Sequence, residues 1–167
     1  IVLPQLPVIP LGVHTEDFSY NPEQRVKARI NLNVGDQTLV VLYTGRLSFH
    51  AKAHPLAMYE ALENAAQATG KEVVLVECGW HANEYIEKAF AAGAQLVSPS
   101  VRVVTLDGRV AENRETAWAS ADVFCSLSDN IQETFGIVPI EALAAGLPVV
   151  VSDWDGYKDT VRDGIDG

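Results

Sequence analysis

The sequence predicts an α/β fold with a mainly parallel sheet and helices on both of its faces. Short apolar segments of strand length alternate along the chain with stretches of helix length. The apolar segments are continuously hydrophobic, whereas a strand with one solvated face would alternate apolar and polar residues. Continuously apolar strands separated by helices are typical of a doubly wound, Rossmann-like sheet that is buried on both faces.

The individual elements are predicted from hydrophobic runs and from the residues that start and stop them. Strands are predicted near 7–9 and at 38–43, 72–77, 101–105, 122–125 and 149–151. Helices are predicted at 22–30, 54–68, 83–92, 112–120, 138–145 and 156–162. Asn21 suits the N-cap of the first helix, and Gly70, Gly93 and Gly146 follow the predicted ends of three others.

The composition fits one domain, or one large lobe of a larger protein. The chain has 167 residues, of which 48% are hydrophobic, and this is enough to bury a sizeable core. Its net charge of −10 argues against nucleic acid or an anionic membrane surface as the main partner. We expect residues 1–20 to be a connecting segment from a missing N-terminal domain, and residues 21–167 to be the ligand-binding domain.

Cysteine content and hydropathy predict a cytoplasmic location. Cys78 and Cys125 each end an apolar run, where cysteine is often a small buried hydrophobe. We therefore expect a reducing compartment rather than a disulfide or a metal site. No apolar run approaches the roughly 20 residues that a membrane span needs, and no signal peptide is present.

The loop after the first central strand is a candidate site, because ligands of such sheets bind beyond the carboxyl ends of the strands. It contains Gly45 and two cations, Arg46 and Lys52. Gly45 lets the backbone approach a ligand closely, and the cations either bind phosphate oxygens or are ordinary solvated groups. No G-x-x-x-x-G-K-[ST] motif is present and no strand is followed by G-x-G-x-x-G, which argues against a P-loop protein and a nicotinamide dehydrogenase.

Histidines and an acidic triplet are weaker candidates. His81 follows the second central strand, but a histidine without an acidic partner is more often structural or exposed than catalytic. The same holds for His14, His50 and His54. The triplet Asp153-Trp154-Asp155 could hold a divalent metal, yet we favour a turn there because Asp155 is followed by glycine. No metal site is predicted.

The stretch 126–156 carries the most informative pattern. Glu133 lies in a polar loop, Gly136 precedes a helix that Pro139 starts well, and Glu141 falls near the first turn of that helix. Unpaired N–H groups at a helix start attract anionic or polar oxygens. Two carboxylates around such a start suit a phosphorylated, hydroxyl-rich ligand, although a carboxylate at the position of Glu141 is also favourable for the helix alone.

Four segments resemble one family. Residues 9–18, 42–52, 126–156 and 156–167 are similar to the C-terminal, nucleotide-sugar-binding domain of retaining glycosyltransferases with two Rossmann-like domains, the GT-B type. This family includes sucrose-phosphate and glycogen synthases and carries a paired-glutamate motif like that of Glu133 and Glu141. The resemblance covers nearly the whole chain and implies that residues 21–167 are one half of a GT-B fold.

The resemblance also implies roles for individual residues. Arg46 and Lys52 would neutralise the diphosphate leaving group, and Glu133 would accept hydrogen bonds from hydroxyls of the donor sugar. Glu141 would bind the ribose hydroxyls. Backbone N–H groups at Phe135, Gly136 and Ile137 would hold sugar or phosphate oxygens, Gly45 would allow close approach, and Thr105 and Leu106 with the residues up to Gly108 would line the base pocket.

The implied reaction is transfer of a glycosyl group with retention, by an ion-pair-like front-face route without a cofactor or an obligatory metal. A nucleoside-diphosphate sugar is the expected partner. The acceptor and the second wall of the cleft are expected in the missing N-terminal domain, through which peripheral contact with a membrane is also conceivable. A non-catalytic nucleotide-binding module of the same fold, or a sugar epimerase or phosphorylase, are the alternatives.

Overall fold

A five-stranded parallel sheet forms the centre of the molecule and confirms the predicted fold class. The computed structural model describes residue 9 and residues 11–131 and 133–167. The strands are β1 (Leu39–Leu47), β2 (Val73–His81), β3 (Val101–Asp107), β4 (Val123–Ser126) and β5 (Val149–Val151). Their spatial order is β3-β2-β1-β4-β5, and every neighbouring pair is parallel. Of the strand predicted near 7–9, residues 7 and 8 lie outside the described residues and Ile9 belongs to no strand.

Helices cover both faces of this sheet. They are α1 (Pro22–Asn31), α2 (Pro55–Thr69), α3 (Glu84–Val97), α4 (Ala111–Ser120), α5 (Ile137–Ala144) and α6 (Tyr157–Thr160), after a 3-10 turn at Thr15–Phe18. One apolar cluster joins α2 and α3 to β1 and β2. A second cluster on the opposite face joins α4 and α5 to the same strands and to β4. Among the described residues, no helix is long and apolar enough to cross a membrane.

The local signals at helix ends act as predicted at the start of α1, at the end of α2 and after α5, where Gly146 has φ 72°. The Asn21 side chain accepts a hydrogen bond from the Gln24 N–H at 2.9 Å, and the Gln24 side chain accepts one from the Asn21 N–H at 2.9 Å. This reciprocal pair is a capping box, and it satisfies two N–H groups that the helix itself leaves free. Gly70 adopts a left-handed conformation, with φ 64°, immediately after α2.

Gly93 does not end α3, so the predicted stop at that residue is wrong. The helix continues to Val97. A Cβ at position 93 would lie 3.2 Å from a methyl group of Leu56 in α2. The glycine therefore allows the two helices on this face to approach each other closely, and this packing outweighs the low helix propensity of glycine.

The first three strands are longer than predicted, which corrects the loop assignments after two of them. Arg46 lies within β1, opposite Trp80, and His81 ends β2. Glycines make the extension possible, because a Cβ at Gly79 would overlap the carbonyl oxygen of Gly45, and Gly108 donates its N–H to the Gly79 oxygen at 2.9 Å. The carboxyl edge of the sheet therefore has a glycine-lined floor across β1 and β2.

The opposite edge is held by a buried charge network. Arg29 in α1 donates to the carbonyl oxygens of Ser120 and Thr38, at 3.0 and 2.7 Å. It also contacts Asp122 at 3.1 Å, and the same carboxylate accepts a hydrogen bond from the Val40 N–H at 2.8 Å. Asp122 therefore fixes the start of β4 beside the start of β1. The relative position of the two strands, and so of the loops that follow them, is set at this edge.

Candidate functional site at the carboxyl edge

The candidate site lies between β1 and β4, where the order of the strands along the parallel sheet changes direction. β1 pairs with β2 on one side and with β4 on the other. The loops that follow β1 and β4 leave this point for opposite faces, so a crevice opens between them. Lys52 lies in the first of these loops, and Glu133 and Gly136 lie in the second.

Lys52 and Glu133 are brought together across the crevice. The Lys52 ammonium donates to a carboxylate oxygen of Glu133 at 2.7 Å. The two side chains are 29% and 14% exposed, so the pair is only partly screened by water. The family resemblance implied that both residues are ligands, one for phosphate and one for a sugar, but their contact with each other was not predicted.

Arg46 provides a second cation beside this pair. Its side chain is exposed, and within the described residues its guanidinium has no hydrogen bond or ion pair. Its backbone is fixed, because the Tyr43 hydroxyl donates to the Arg46 carbonyl oxygen at 3.2 Å. A guanidinium on an anchored backbone can turn its forked donors towards an anion without moving the strand.

The start of α5 offers backbone donors to the same crevice. Gly136 has φ 73° and is the N-cap, and no side chain of the described residues caps the helix. The N–H groups of Phe135, Gly136 and Ile137 have no acceptor among the described residues. A helix start with free N–H groups and positive dipole character can bind a phosphate or another polar oxygen.

Glu141 lies in the second turn of α5 rather than in its first. The favourable interaction of a carboxylate with the helix dipole is confined to the first turn, where α5 has no acidic residue. The stability of the helix therefore does not explain a glutamate at position 141. The carboxylate is half-buried, and this burial raises its pKa. It lines a cleft of about 600 Å³ together with Thr44 and Arg114, and it has no hydrogen-bond partner in the described part of the chain.

Thr105 and Leu106 lie on opposite faces of the sheet. Both belong to β3, which continues to Asp107, two residues beyond the predicted end of the strand at Thr105, so Leu106 does not lie in a loop. Leu106 packs into the apolar cluster under α4, whereas Thr105 lines a cleft of about 520 Å³ beside α3. Glu141 lies on the face of Leu106, so the structure does not bring the Thr105 side chain together with Glu141.

The cleft beside α3 contains two polar residues that sequence reasoning missed or discounted. Glu77 is only 2% exposed and accepts a hydrogen bond from the Tyr59 hydroxyl at 2.7 Å. Burial raises the pKa of the Glu77 carboxyl. The His81 ring meets the edge of Phe90 with ring centres 5.1 Å apart, and burial lowers the pKa of His81. The only signal for Glu77 in the sequence was a glutamate that ends an otherwise apolar strand.

Replacing Glu77 by glutamine should make the stability of the protein less dependent on pH. A raised pKa means that the folded state holds this proton more tightly than the unfolded state, so the stabilisation is lost as pH rises through the folded pKa. Between the unfolded pKa of about 4.3 and the folded pKa, the free energy of unfolding of the wild type should fall by up to about 1.4 kcal/mol per pH unit relative to that of Glu77→Gln. Urea denaturation from acid to neutral pH measures this difference. Parallel curves for the two proteins would contradict it, and Glu60→Gln on the surface of α2 is the control.

The acidic triplet forms a turn, as the sequence favoured. Asp155 has φ 37°, and its carbonyl oxygen accepts a hydrogen bond from the Lys158 N–H at 3.1 Å. Asp153 lies 3.8 Å from the Lys158 ammonium. Cys78 and Cys125 are free and buried, which confirms that they behave as small apolar residues.

Comparison with known proteins decides the family. A family model described as glycosyl transferases group 1 matches residues 38–167. The chain belongs to this family of glycosyltransferases. A D-inositol 3-phosphate glycosyltransferase from Geodermatophilus obscurus is 33% identical over 175 residues, covering 96% of this chain and 35% of the relative. The chain therefore spans about a third of the length of that relative.

Solved structures of group 1 and related enzymes share the fold. Anabaena Alr3699/HepE in complex with UDP-glucose has a TM-score of 0.73 and 22% identity, covering 93% of this chain and 41% of that one. The C-terminal domain of the group 1 family protein LpcC from Francisella tularensis has a TM-score of 0.69 and 13% identity, covering 91% of this chain and 76% of that one. At these identities the likeness establishes the GT-B, Rossmann-like domain and nothing finer.

Proposed function

We propose that this group 1 chain is the donor-binding domain of a retaining glycosyltransferase, which transfers a sugar from a nucleoside-diphosphate sugar to an acceptor. The observation that carries the proposal is the convergence of Lys52 and Glu133 beside the free N–H groups at the start of α5. Cations, a carboxylate and backbone donors meet where parallel sheets bind ligands. A donor made of a diphosphate and a sugar needs these three kinds of group.

Donor binding would exchange the partners of this pair. The diphosphate offers Lys52 more negative charge than one carboxylate does, so the ammonium would move to the phosphate oxygens, where the free guanidinium of Arg46 joins it. Glu133 would then be released to accept hydrogen bonds from the sugar hydroxyls. The Glu141 carboxylate is half-buried and has no hydrogen-bond donor among the described residues. It would accept hydrogen bonds from the ribose hydroxyls.

The chemistry follows from stabilising the leaving group. The bond between the anomeric carbon and the diphosphate oxygen breaks, and the diphosphate leaves with the electron pair. Once they hold the bound diphosphate, Arg46, Lys52 and the N–H groups at the start of α5 stabilise this growing charge, which lowers the barrier. The acceptor hydroxyl bonds to the anomeric carbon on the face that the diphosphate left, and its proton passes to the departing oxygen. Because attack occurs on that face, the configuration of the anomeric carbon is retained. The positive charge that a metal ion supplies in other enzymes would come here from the side chains of Arg46 and Lys52.

The whole protein would supply the remaining parts. We propose that residues 1–20 connect this domain to an N-terminal domain that holds the acceptor and closes the crevice from the other side. Exposed apolar side chains at this edge, Ile131 and Trp154, are consistent with a surface that another domain or an acceptor covers. A reducing, cytoplasmic environment fits the two free cysteines.

A panel of nucleotide sugars tests the proposal. UDP-glucose, GDP-mannose and ADP-glucose are added to the full-length protein, and the melting temperature is recorded with the rate of nucleoside diphosphate release. At least one donor should raise the melting temperature by mass action and release its diphosphate. The proposal fails if no nucleotide or nucleotide sugar at millimolar concentration shifts the melting temperature.

A further inference from the structure

Residues 152–157, which run from the end of β5 to the first residue of α6, form a brace behind the loop that carries Glu133. The Tyr157 and Ser126 hydroxyls are 2.8 Å apart and hydrogen-bonded, which ties the brace to the end of β4. The Ser152 hydroxyl donates to the carbonyl oxygen of Ser128. The Trp154 indole N–H donates to the carbonyl oxygen of Asn130 at 3.2 Å. Three side chains of the brace therefore hold the last residue of β4 and two residues of the loop.

The brace also fixes the backbone at the start of α5. A Cβ at Gly136 would overlap the ring of Tyr157, so the ring lies directly against this residue. A Cβ at Gly156 would lie 2.5 Å from the backbone of Phe135. Gly156 and Tyr157 therefore pack directly against the peptide groups of Phe135 and Gly136, whose N–H groups have no acceptor among the described residues.

One branch of these contacts crosses the crevice. The Asn130 side chain donates to the carbonyl oxygen of His50 at 2.8 Å, and His50 lies in the loop that carries Lys52. Trp154 holds Asn130 through its indole N–H. The brace therefore reaches both loops of the candidate site, although none of its residues is among those that we place against the donor.

We propose that residues 152–157 position the sugar end of the donor site, with Tyr157 and Trp154 as positioning residues. They set where Glu133 and the N–H groups of residues 135–137 stand, and they do not contact the reacting atoms. Burial raises the pKa of Tyr157 to about 12, so its hydroxyl stays neutral and hydrogen-bonded at ordinary pH. This inference rests on the proposed function, because it assumes that the loop binds a donor sugar.

Two conservative variants of the full-length protein test it. Trp154→Phe keeps a ring but removes the indole N–H, and Tyr157→Phe keeps the contact with Gly136 but removes the hydroxyl. One hydrogen bond is lost in each case, so diphosphate release from the best donor of UDP-glucose, GDP-mannose and ADP-glucose should fall about 5-fold in kcat. The diphosphate without its sugar should lose less affinity than the donor does, because Arg46 and Glu141, which lie outside the brace, hold it in addition to the N–H groups. Tyr85→Phe, in an exposed tyrosine of α3, is the control and should behave as the wild type.

The outcomes separate this inference from the proposed function. If both variants melt earlier than the wild type but keep its kcat, the brace is only structural and the inference is wrong. It is also wrong if the diphosphate alone loses affinity as much as the donor does. If the wild-type protein binds none of the three donors, the proposed function itself fails. If the wild type binds and turns over a donor and both variants are as active, only the positioning role is ruled out.

Discussion

Replacing Glu133 by glutamine is expected to lower kcat for glycosyl transfer by about 10- to 100-fold in the folded protein. Glutamine keeps the shape of the side chain but loses the negative charge that strengthens hydrogen bonds to sugar hydroxyls. A hydrogen bond to a charged group contributes about 1.5–3 kcal/mol, which corresponds to roughly this range of rate. The free energy of unfolding should change by less than about 1 kcal/mol, because a partly exposed ion pair contributes little to stability.

The contact between Glu133 and Lys52 allows a sharper version of this test. One alternative is that the Glu133 carboxylate has no role other than to hold Lys52, since the two groups are 2.7 Å apart. In that case Lys52→Met and Glu133→Gln would have equal effects, and the double variant would be no worse than either. We expect instead that Glu133→Gln lowers kcat further in the Lys52→Met background, because Glu133 contacts the sugar and Lys52 the diphosphate. Glu60→Gln, in an exposed glutamate of α2, is the control for the loss of one charge.

Replacing Gly136 by alanine is expected to damage both the fold and the site. The residue has φ 73°, where a Cβ costs about 1–2 kcal/mol. The added methyl group would also overlap the Tyr157 ring, and such overpacking costs about 1–3 kcal/mol more. The free energy of unfolding should therefore fall by about 2–5 kcal/mol. Donor affinity should fall as well, because the N–H groups beside Gly136 would move.

Gly146→Ala separates the two causes. Gly146 follows the same helix and has φ 72°, but no atom of the described part of the chain lies within 4 Å of its Cβ position. This variant should lose only the backbone contribution of about 1–2 kcal/mol, and its donor affinity should not change. Urea denaturation and donor titration of both variants give the comparison. Equal losses of stability in the two variants would show that the contact with Tyr157 does not constrain position 136.

The fold was predictable because its signals are local. Continuous apolar runs such as that of β2 identify buried parallel strands, and Asn21 caps α1 through a side chain only three residues from its partner. The misplaced end of α3 has a non-local cause. Considered within its own helix, Gly93 predicts a stop, but its role is to let α2 approach, and that contact exists only in the folded molecule.

The residues of the candidate site were easier to predict than their arrangement. Loops at the carboxyl ends of strands could be identified from the order of elements, so Lys52 and Glu133 were both singled out. Their contact depends on two loops that are 81 residues apart in the chain. The face to which Thr105 points depends on strand length and register, and β3 proved longer than its hydrophobic run. The brace was missed for the same reason, since the contacts of Tyr157 join it to residues about 20 to 30 positions earlier.

The most direct test of the donor site is calorimetry with a nucleoside diphosphate and the Glu141→Ala variant. UDP, or another nucleoside diphosphate if the donor panel favours one, is titrated into the full-length protein. Glu112→Ala, which removes an exposed carboxylate from α4, is the matched control. Loss of the ribose contact should weaken binding by about 1–3 kcal/mol, or roughly 5- to 150-fold in Kd, while the control binds as the wild type. An unchanged Kd in Glu141→Ala would contradict the placement of the nucleotide at the start of α5.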